Sequence, residues 1–303
     1  SRAVFMPFKV QEIMDKGGIY FGENAISHNL IMCNKENLLN QSAFLLGVPG
    51  SGKSFSAKEL MTFLMLNTED DILVCDPEGE YAPLVEAMGD MGSVIHVSAG
   101  GRDRLNAMYM VDGYGENNPI VVKSEFIMSL IEQIDKKGVG PQHKSIIDRC
   151  ITMVYRNAAY TGTVPTLCTL RDTLLEQPEP EAKRIATALE LYCTGSLNLF
   201  NHPTNVNLNS RVVCFVLKGM GENLRKIAMH ITNDFVTSAV GTNFKNGVAT
   251  WCYFDEFHIL LRDPLTASYF VTVWKMLRKQ GCVPSALTQN VKVRPDRALC
   301  KAV

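Results

Sequence analysis

The chain has 303 residues, 46% of them hydrophobic and 20% charged, enough apolar content for one large or two ordinary globular domains with a sizeable core. A formal net charge of −1 excludes a global basic field that would by itself draw the protein onto nucleic acid or an acidic membrane, so any DNA contact must be local. No apolar stretch approaches the ~18 to 20 uncharged residues of a spanning helix, and the first residues lack the basic-then-apolar pattern of a secretion signal.

The predicted elements alternate short apolar runs with helical periodicity, the pattern of an open α/β sheet with crossover helices. A hairpin is expected first, from Gly18 to Gly22 and Ser27 to Met32. A strand from Ser42 to Leu46, a glycine-rich turn and a helix from Lys53 to Leu66 follow. The next strand, Asp71 to Cys75, ends at the strand-breaking run Asp76, Pro77, Glu78, Gly79, and a short strand is predicted at Val94 to Val97. From about Pro119 to Phe200 apolar residues recur at helical spacing in Val121 to Ile134, Lys144 to Tyr155, Leu167 to Leu175 and Ala182 to Tyr192, with Pro178 to Pro180 as a short hinge. The α/β pattern resumes with a strand at Val212 to Leu217, a helix from Glu222 to Val240 and a strand at Thr250 to Phe254. A helix at Pro264 to Gln280 and a strand at Val283 to Leu287 complete it. The domain division is therefore a core formed by residues 1–115 and 206–303, interrupted by a helical subdomain at 116–205. Because the chain begins at Ser1 and ends in a polar segment soon after its last strand, it is expected to be a fragment truncated at its C-terminus.

Gly47, Val48, Pro49, Gly50, Ser51, Gly52, Lys53 and Ser54 spell G-x-x-x-x-G-K-S at a strand-to-helix turn, the context that a phosphate-binding loop requires. Glycines let backbone N–H groups turn inward around a β-phosphate, and the helix adds its positive dipole end. Lys53 is expected to bridge the β- and γ-phosphates, and the Ser54 hydroxyl to be a ligand of Mg2+. The cofactors predicted are thus ATP and Mg2+, with Phe55 bordering the nucleotide. Downstream, the apolar strand Trp251 to Phe254 delivers Asp255 and Glu256 at its carboxyl end, where open α/β sheets place ligands. Two acids there could be a solvated strand end. With the phosphate loop present they are read as a Walker B pair, Asp255 on the metal and Glu256 orienting or deprotonating the attacking water.

Other polar residues leave two readings open. Gln289 follows Thr288 at the end of the last strand and is placed either to reach the γ-phosphate or the attacking water, or as a surface turn residue. Arg278 and Lys279 close the preceding helix, where they either complement its dipole or supply an arginine finger to a neighbour's site. Asp76, Glu78 and Glu80 could support the metal or a ring interface, or form a solvated loop. The six histidines are scattered, which argues against a histidine metal site, and the nine cysteines stand singly, as reduced thiols of a cytosolic protein do.

Together the motifs resemble the VirB-type transfer ATPases of conjugative type IV secretion systems, the fourth component of that series. The resemblance rests on Gly47 to Ser54, on D-P-E-G-E-Y at Asp76 to Tyr81, F-D-E-F at Phe254 to Phe257, R-K-Q-G at Arg278 to Gly281, T-Q-N at Thr288 to Asn290 and G-x-Y-F-G-x-N at Gly18 to Asn24, and it spans nearly the whole chain. It implies a RecA-like P-loop NTPase sheet with flanking helices and an inserted all-helical subdomain. The same resemblance implies an ATP-hydrolysing motor, a homo-oligomer working as a hexamer or in smaller assemblies at the cytoplasmic face of the membrane, held there through other secretion components. It powers pilus assembly and substrate transfer, with Lys53 and Ser54 on nucleotide, Asp255 and Glu256 as metal and catalytic acids, Gln289 as sensor and Arg278 as finger. The alternatives are a DNA-translocating motor of the coupling-protein, FtsK or HerA kind, with DNA as partner, and a nucleotide-gated assembly scaffold that turns ATP over poorly.

Overall fold

The computed structural model describes residues 13–289 apart from 99, 112–113, 115–117, 136–138 and 262–263. Asn290, Cys300 and both chain ends lie outside the described residues. The described chain opens on a small sheet of β1 (Ile13–Met14), β2 (Ile19–Glu23) and β3 (Leu30–Cys33), in which β2 and β3 run antiparallel and β1 pairs parallel with β3. The expected hairpin is thus present, its strands lying slightly later in the chain. Asn24 sets the turn: its side-chain oxygen accepts from the backbone N–H groups of Ile26 and Ser27.

Six strands form the main sheet: β4 (Ala43–Leu46), β5 (Asp71–Asp76), β6 (Gly92–His96), β7 (Val212–Val216), β8 (Thr250–Phe254) and β9 (Cys282–Thr288). All neighbours pair parallel, in the order β4-β9-β8-β5-β7-β6. Such a sheet is covered on both faces, which is why β7 and β8 are buried at every position and read as unbroken apolar runs. The strand period of two sorts those residues. Ile72, Val74, Val212, Cys214, Trp251 and Tyr253 share one core with helix α1 (Lys53–Asn67) and the short α2 (Ala82–Glu86). Leu73, Cys75, Val213, Phe215, Cys252 and Phe254 face a larger core on the other side.

That second core belongs to the helices. Between β6 and β7 the chain forms α3 (Pro119–Ile134), α4 (Pro141–Thr161), α5 (Leu167–Leu175) and α6 (Pro180–Cys193), and α7 (Glu222–Lys245) and α8 (Pro264–Lys279) follow β7 and β8. Proline opens α3, α4 and α6, where its missing N–H is one that helix geometry leaves unpaired in any case. Buried residues of the inserted helices, among them Phe126, Leu130, Ile147 and Leu189, pack in the same cluster as the sheet residues Cys75, Phe215 and Phe254.

Polar groups pin this packing. Lys123 of α3 is fully buried, with Nζ 2.6 Å from Asp234 Oδ2 of α7 and 3.2 Å from the Ala107 carbonyl, and Tyr114 donates to the other Asp234 oxygen at 2.6 Å. The ammonium also lies 4.6 Å and 4.8 Å from the ring centroids of Tyr114 and Phe126. One turn away, Ser129 donates to the Phe126 carbonyl, so the His230 Nε2 found 2.6 Å from the Ser129 oxygen carries the hydrogen. Burial holds the His230 imidazole neutral, its pKa pushed down to about 3.

Candidate active site

The strand order sets the carboxyl ends of β4, β9, β8 and β5 side by side; β9 and β5 end in Thr288 and Asp76, and β4 and β8 hand over to Gly47 and Asp255. After β4 the backbone turns at Gly47, whose N–H donates to the Thr288 carbonyl at the end of β9. A Cβ at Gly47 would stand 2.2 Å from the Ser51 hydroxyl oxygen, so any side chain there forces Ser51 to shift. Gly50 and Gly52 take φ of 77° and 84°, the left-handed region that glycine enters without steric cost. Helix α1 then begins at Lys53 with glycine as its N-cap, no capping side chain and no acidic residue in its first turn. Its leading N–H groups therefore lack a side-chain acceptor, and an anion is what they fit. Val48 to Gly52 lie open to solvent, as does Phe55, which is 72% exposed on α1.

Two strands away, β8 is followed directly by Asp255 and Glu256, both buried. The Asp255 N–H donates to the Cys75 carbonyl at 3.1 Å, continuing the ladder one residue past the strand, and its Oδ1 accepts from the Glu256 N–H at 2.9 Å. Burial pushes the Asp255 pKa up to about 6. The Glu256 N–H and the Lys53 ammonium act against that rise, and the charges of Glu256 and Glu80 add to it. Glu256 adopts φ 48° and ψ 35°, a left-handed conformation rare outside glycine, asparagine and aspartate. Its carboxylate is held at both oxygens. Gln289 donates from Nε2 to Oε1 at 2.7 Å, and His258 Nδ1 stands 3.1 Å from Oε2. The same His258 nitrogen is 3.1 Å from the Thr288 hydroxyl.

At the end of β5, Asp76 is fully buried, and its oxygens accept from the backbone N–H groups of Gly79, Glu80 and Tyr81 at 2.8, 3.0 and 2.8 Å. Asp76 does not stand in a solvated loop, one of the two readings open for this acidic run: its buried carboxylate folds the D-P-E-G-E-Y segment. Glu78 pairs with Arg225 of α7 at 2.5 Å. The folded segment buries Tyr81, and that burial, with the charge of Asp255, drives its hydroxyl pKa far up, while the Ser54 side chain acts against the rise.

The structure brings together Gly47 to Ser54, Asp255, Glu256 and Gln289. Arg278 is not among them. It is exposed in the last turn of α8, just before the amino end of β9, whereas the loop lies at the carboxyl ends. Seven residues of β9 separate the two ends, roughly 20 Å of strand. Three neighbours of the site were missed: Thr288, Tyr81 and His258. The last carries a readable signal, since it stands directly after F-D-E-F, two residues beyond Glu256.

A model of the family described as helicase HerA, central domain, matches residues 27–188, more than half of the chain. Among solved structures, VirB4 of Thermoanaerobacter pseudethanolicus superposes with a TM-score of 0.80 over 96% of this chain and 82% of that one, at 18% identity. The bacterial conjugative coupling protein TrwBΔN70, in a crystal form with sulphate, gives a TM-score of 0.54 over 86% of this chain and 67% of that one, at 13% identity. At these identities the likeness is one of fold, and it bears out the RecA-like sheet with flanking helices expected from the motifs. Among curated proteins nothing matches. The chain belongs to the helicase HerA central-domain family and is a P-loop ATPase of the RecA-like fold.

Proposed function

We propose that the protein is the ATP-hydrolysing motor of a conjugative type IV secretion system, powering assembly of the apparatus or pilus and transfer of substrate. The observation that carries this reading is the convergence of an uncapped helix N-terminus, Lys53, Asp255, Glu256 and Gln289 at the carboxyl ends of three adjacent strands. The backbone of residues 47–54 cradles the β-phosphate, and Lys53 spans the β- and γ-phosphates. Ser54 and Asp255 offer the hard oxygen donors that Mg2+ prefers, and a desolvated carboxylate opposed by Lys53 is the chemistry of a site that takes a cation. When bound there, Mg2+ neutralises charge developing on the phosphate oxygens. Glu256 takes a proton from the water that attacks the γ-phosphorus. The bond from that phosphorus to the β–γ bridging oxygen breaks, leaving ADP and inorganic phosphate. Gln289 senses the γ-phosphate by exchanging its bond to Glu256 for one to nucleotide.

Because Arg278 stands at the far end of the sheet, its catalytic role is in trans. Copies of the chain assemble as a ring, a hexamer, with the segment 116–205 as a helical subdomain and with other secretion components holding the ring at the cytoplasmic face of the membrane. No helix among the described residues is long and apolar enough to cross a membrane, consistent with attachment through partners. The family match favours a second reading, a DNA-translocating motor, against which the net charge of −1 weighs. ATP turnover measured against protein concentration, with and without single-stranded DNA, separates the two. Turnover per chain that rises with concentration, falls in Arg278→Ala and ignores DNA supports the secretion motor. Salt-sensitive stimulation by DNA supports the translocase, and turnover flat with concentration and indifferent to Arg278 removes the shared site.

A further inference from the structure

We infer that His258 and Thr288 form a positioning pair that holds the Glu256 carboxylate in its working orientation and couples it to the phosphate loop. The inference rests on the reading of Glu256 as the base for water. A glutamate is a weak device for this task unless fixed, because its side chain has three rotatable bonds and a free carboxylate samples many orientations. Here the backbone already lies in the left-handed region, which aims the side chain but leaves its outer torsions unset.

Two contacts set them, and they differ in kind. Gln289 donates to Oε1 through an amide at the end of a strand, beside the loop that receives phosphate, where nucleotide competes for it. His258 holds Oε2 from within its own short 3-10 turn, Phe257–Ile259, and is buried. An ionised carboxylate only accepts, so the hydrogen between the two groups sits on His258 Nδ1. The Thr288 hydroxyl oxygen lies at the same 3.1 Å from that nitrogen, shares the hydrogen as second acceptor and fixes the plane of the ring.

Thr288 is also the residue whose carbonyl accepts from Gly47 N–H at the first residue of the phosphate loop. One residue therefore touches the loop with its backbone and the support of the base with its side chain. A displacement of Gly47 when phosphate fills the loop reaches Oε2 of Glu256 through three contacts, Gly47 to Thr288, Thr288 to His258 and His258 to Glu256. When Gln289 turns to nucleotide, Oε1 is released to accept the proton of water while Oε2 stays held.

The test uses the whole chain and compares His258→Ala, His258→Asn and Thr288→Val with Glu256→Gln, reading kcat, KM and the affinity for a fluorescent ATP analogue. Removal of the tether in His258→Ala lowers kcat at least tenfold while KM and analogue affinity stay within about twofold. His258→Asn, which keeps a side-chain N–H donor near the same place, recovers part of the loss, and Thr288→Val reproduces it in part. In the Glu256→Gln background His258→Ala has no further effect, because the group it positions is gone. Wild-type kcat in His258→Ala beside an inactive Glu256→Gln overturns the pairing alone, whereas wild-type kcat in Glu256→Gln overturns the assignment of the base. Parallel loss of kcat and analogue affinity in His258→Ala and His258→Asn assigns His258 to the fold of the pocket and also overturns the inference. Should His258→Ala not fold, His258→Asn and Thr288→Val decide by the same split between kcat and affinity.

Discussion

Asp255 carries an electrostatic cost that the site incurs for function. Its pKa in the folded chain, about 6, is above the ordinary 3.8, so the native state binds the proton more tightly than the unfolded chain does. The stability this contributes is complete below about pH 4 and is lost as pH rises from 4 to 6, leaving the ionised, desolvated carboxylate as a burden at neutral pH. Asp255→Asn removes the charge and keeps the shape. Its thermal midpoint at pH 7 is expected to rise, by the equivalent of roughly 1–3 kcal/mol, with a shallower decline in stability between pH 4 and 6 than the wild type shows. Thermal melts across that range check it, and a lower midpoint for the variant at pH 7 contradicts it. The Walker pair itself was legible in sequence because its chemistry needs two acids at a strand end beside a phosphate loop. Its pKa was not, since desolvation depends on which side chains close over the carboxylate.

Among the elements, the segment after β5 shows most clearly what a sequence conceals. Asp76, Glu78 and Glu80 are three acids in five residues, and nothing in their spacing distinguishes a metal ligand from a loop brace. The structure separates them by burial and by the direction of neighbouring N–H groups, three of which point into the Asp76 carboxylate. In Asp76→Asn one acceptor becomes a donor facing backbone N–H groups, and the expected loss is about 1–3 kcal/mol, read as a lower urea midpoint. A variant as stable as the wild type shows that the loop does not depend on that carboxylate. The five-residue α2 escaped notice for a related reason: it is too short to display a helical period, and Tyr81 and Pro83 give no apolar stripe. Longer elements were legible, α5 and β8 at their observed ends, because their apolar periodicity is the pattern their burial requires.

For the whole molecule, the alternation of strand and helix was enough to foresee a parallel sheet with its site at the carboxyl ends, while the strand order was not, because nothing local states that β9 lies between β4 and β8. That order is what joins Gly47, Gln289 and Glu256. The direction of β9, parallel to its neighbours, leaves Arg278 at the opposite end of the sheet, so that a residue adjacent to the last strand in sequence is remote from the loop in space. The buried Lys123–Asp234 pair was likewise hidden, its partners being separated by more than a hundred residues and joined only when α3 packs on α7. The most direct test of the proposed chemistry is ATP turnover by Glu256→Gln, measured with its affinity for ATP. Turnover at least a hundredfold below the wild type, with ATP bound as tightly as before, is the expected result. Wild-type turnover in that variant would show that the base lies elsewhere.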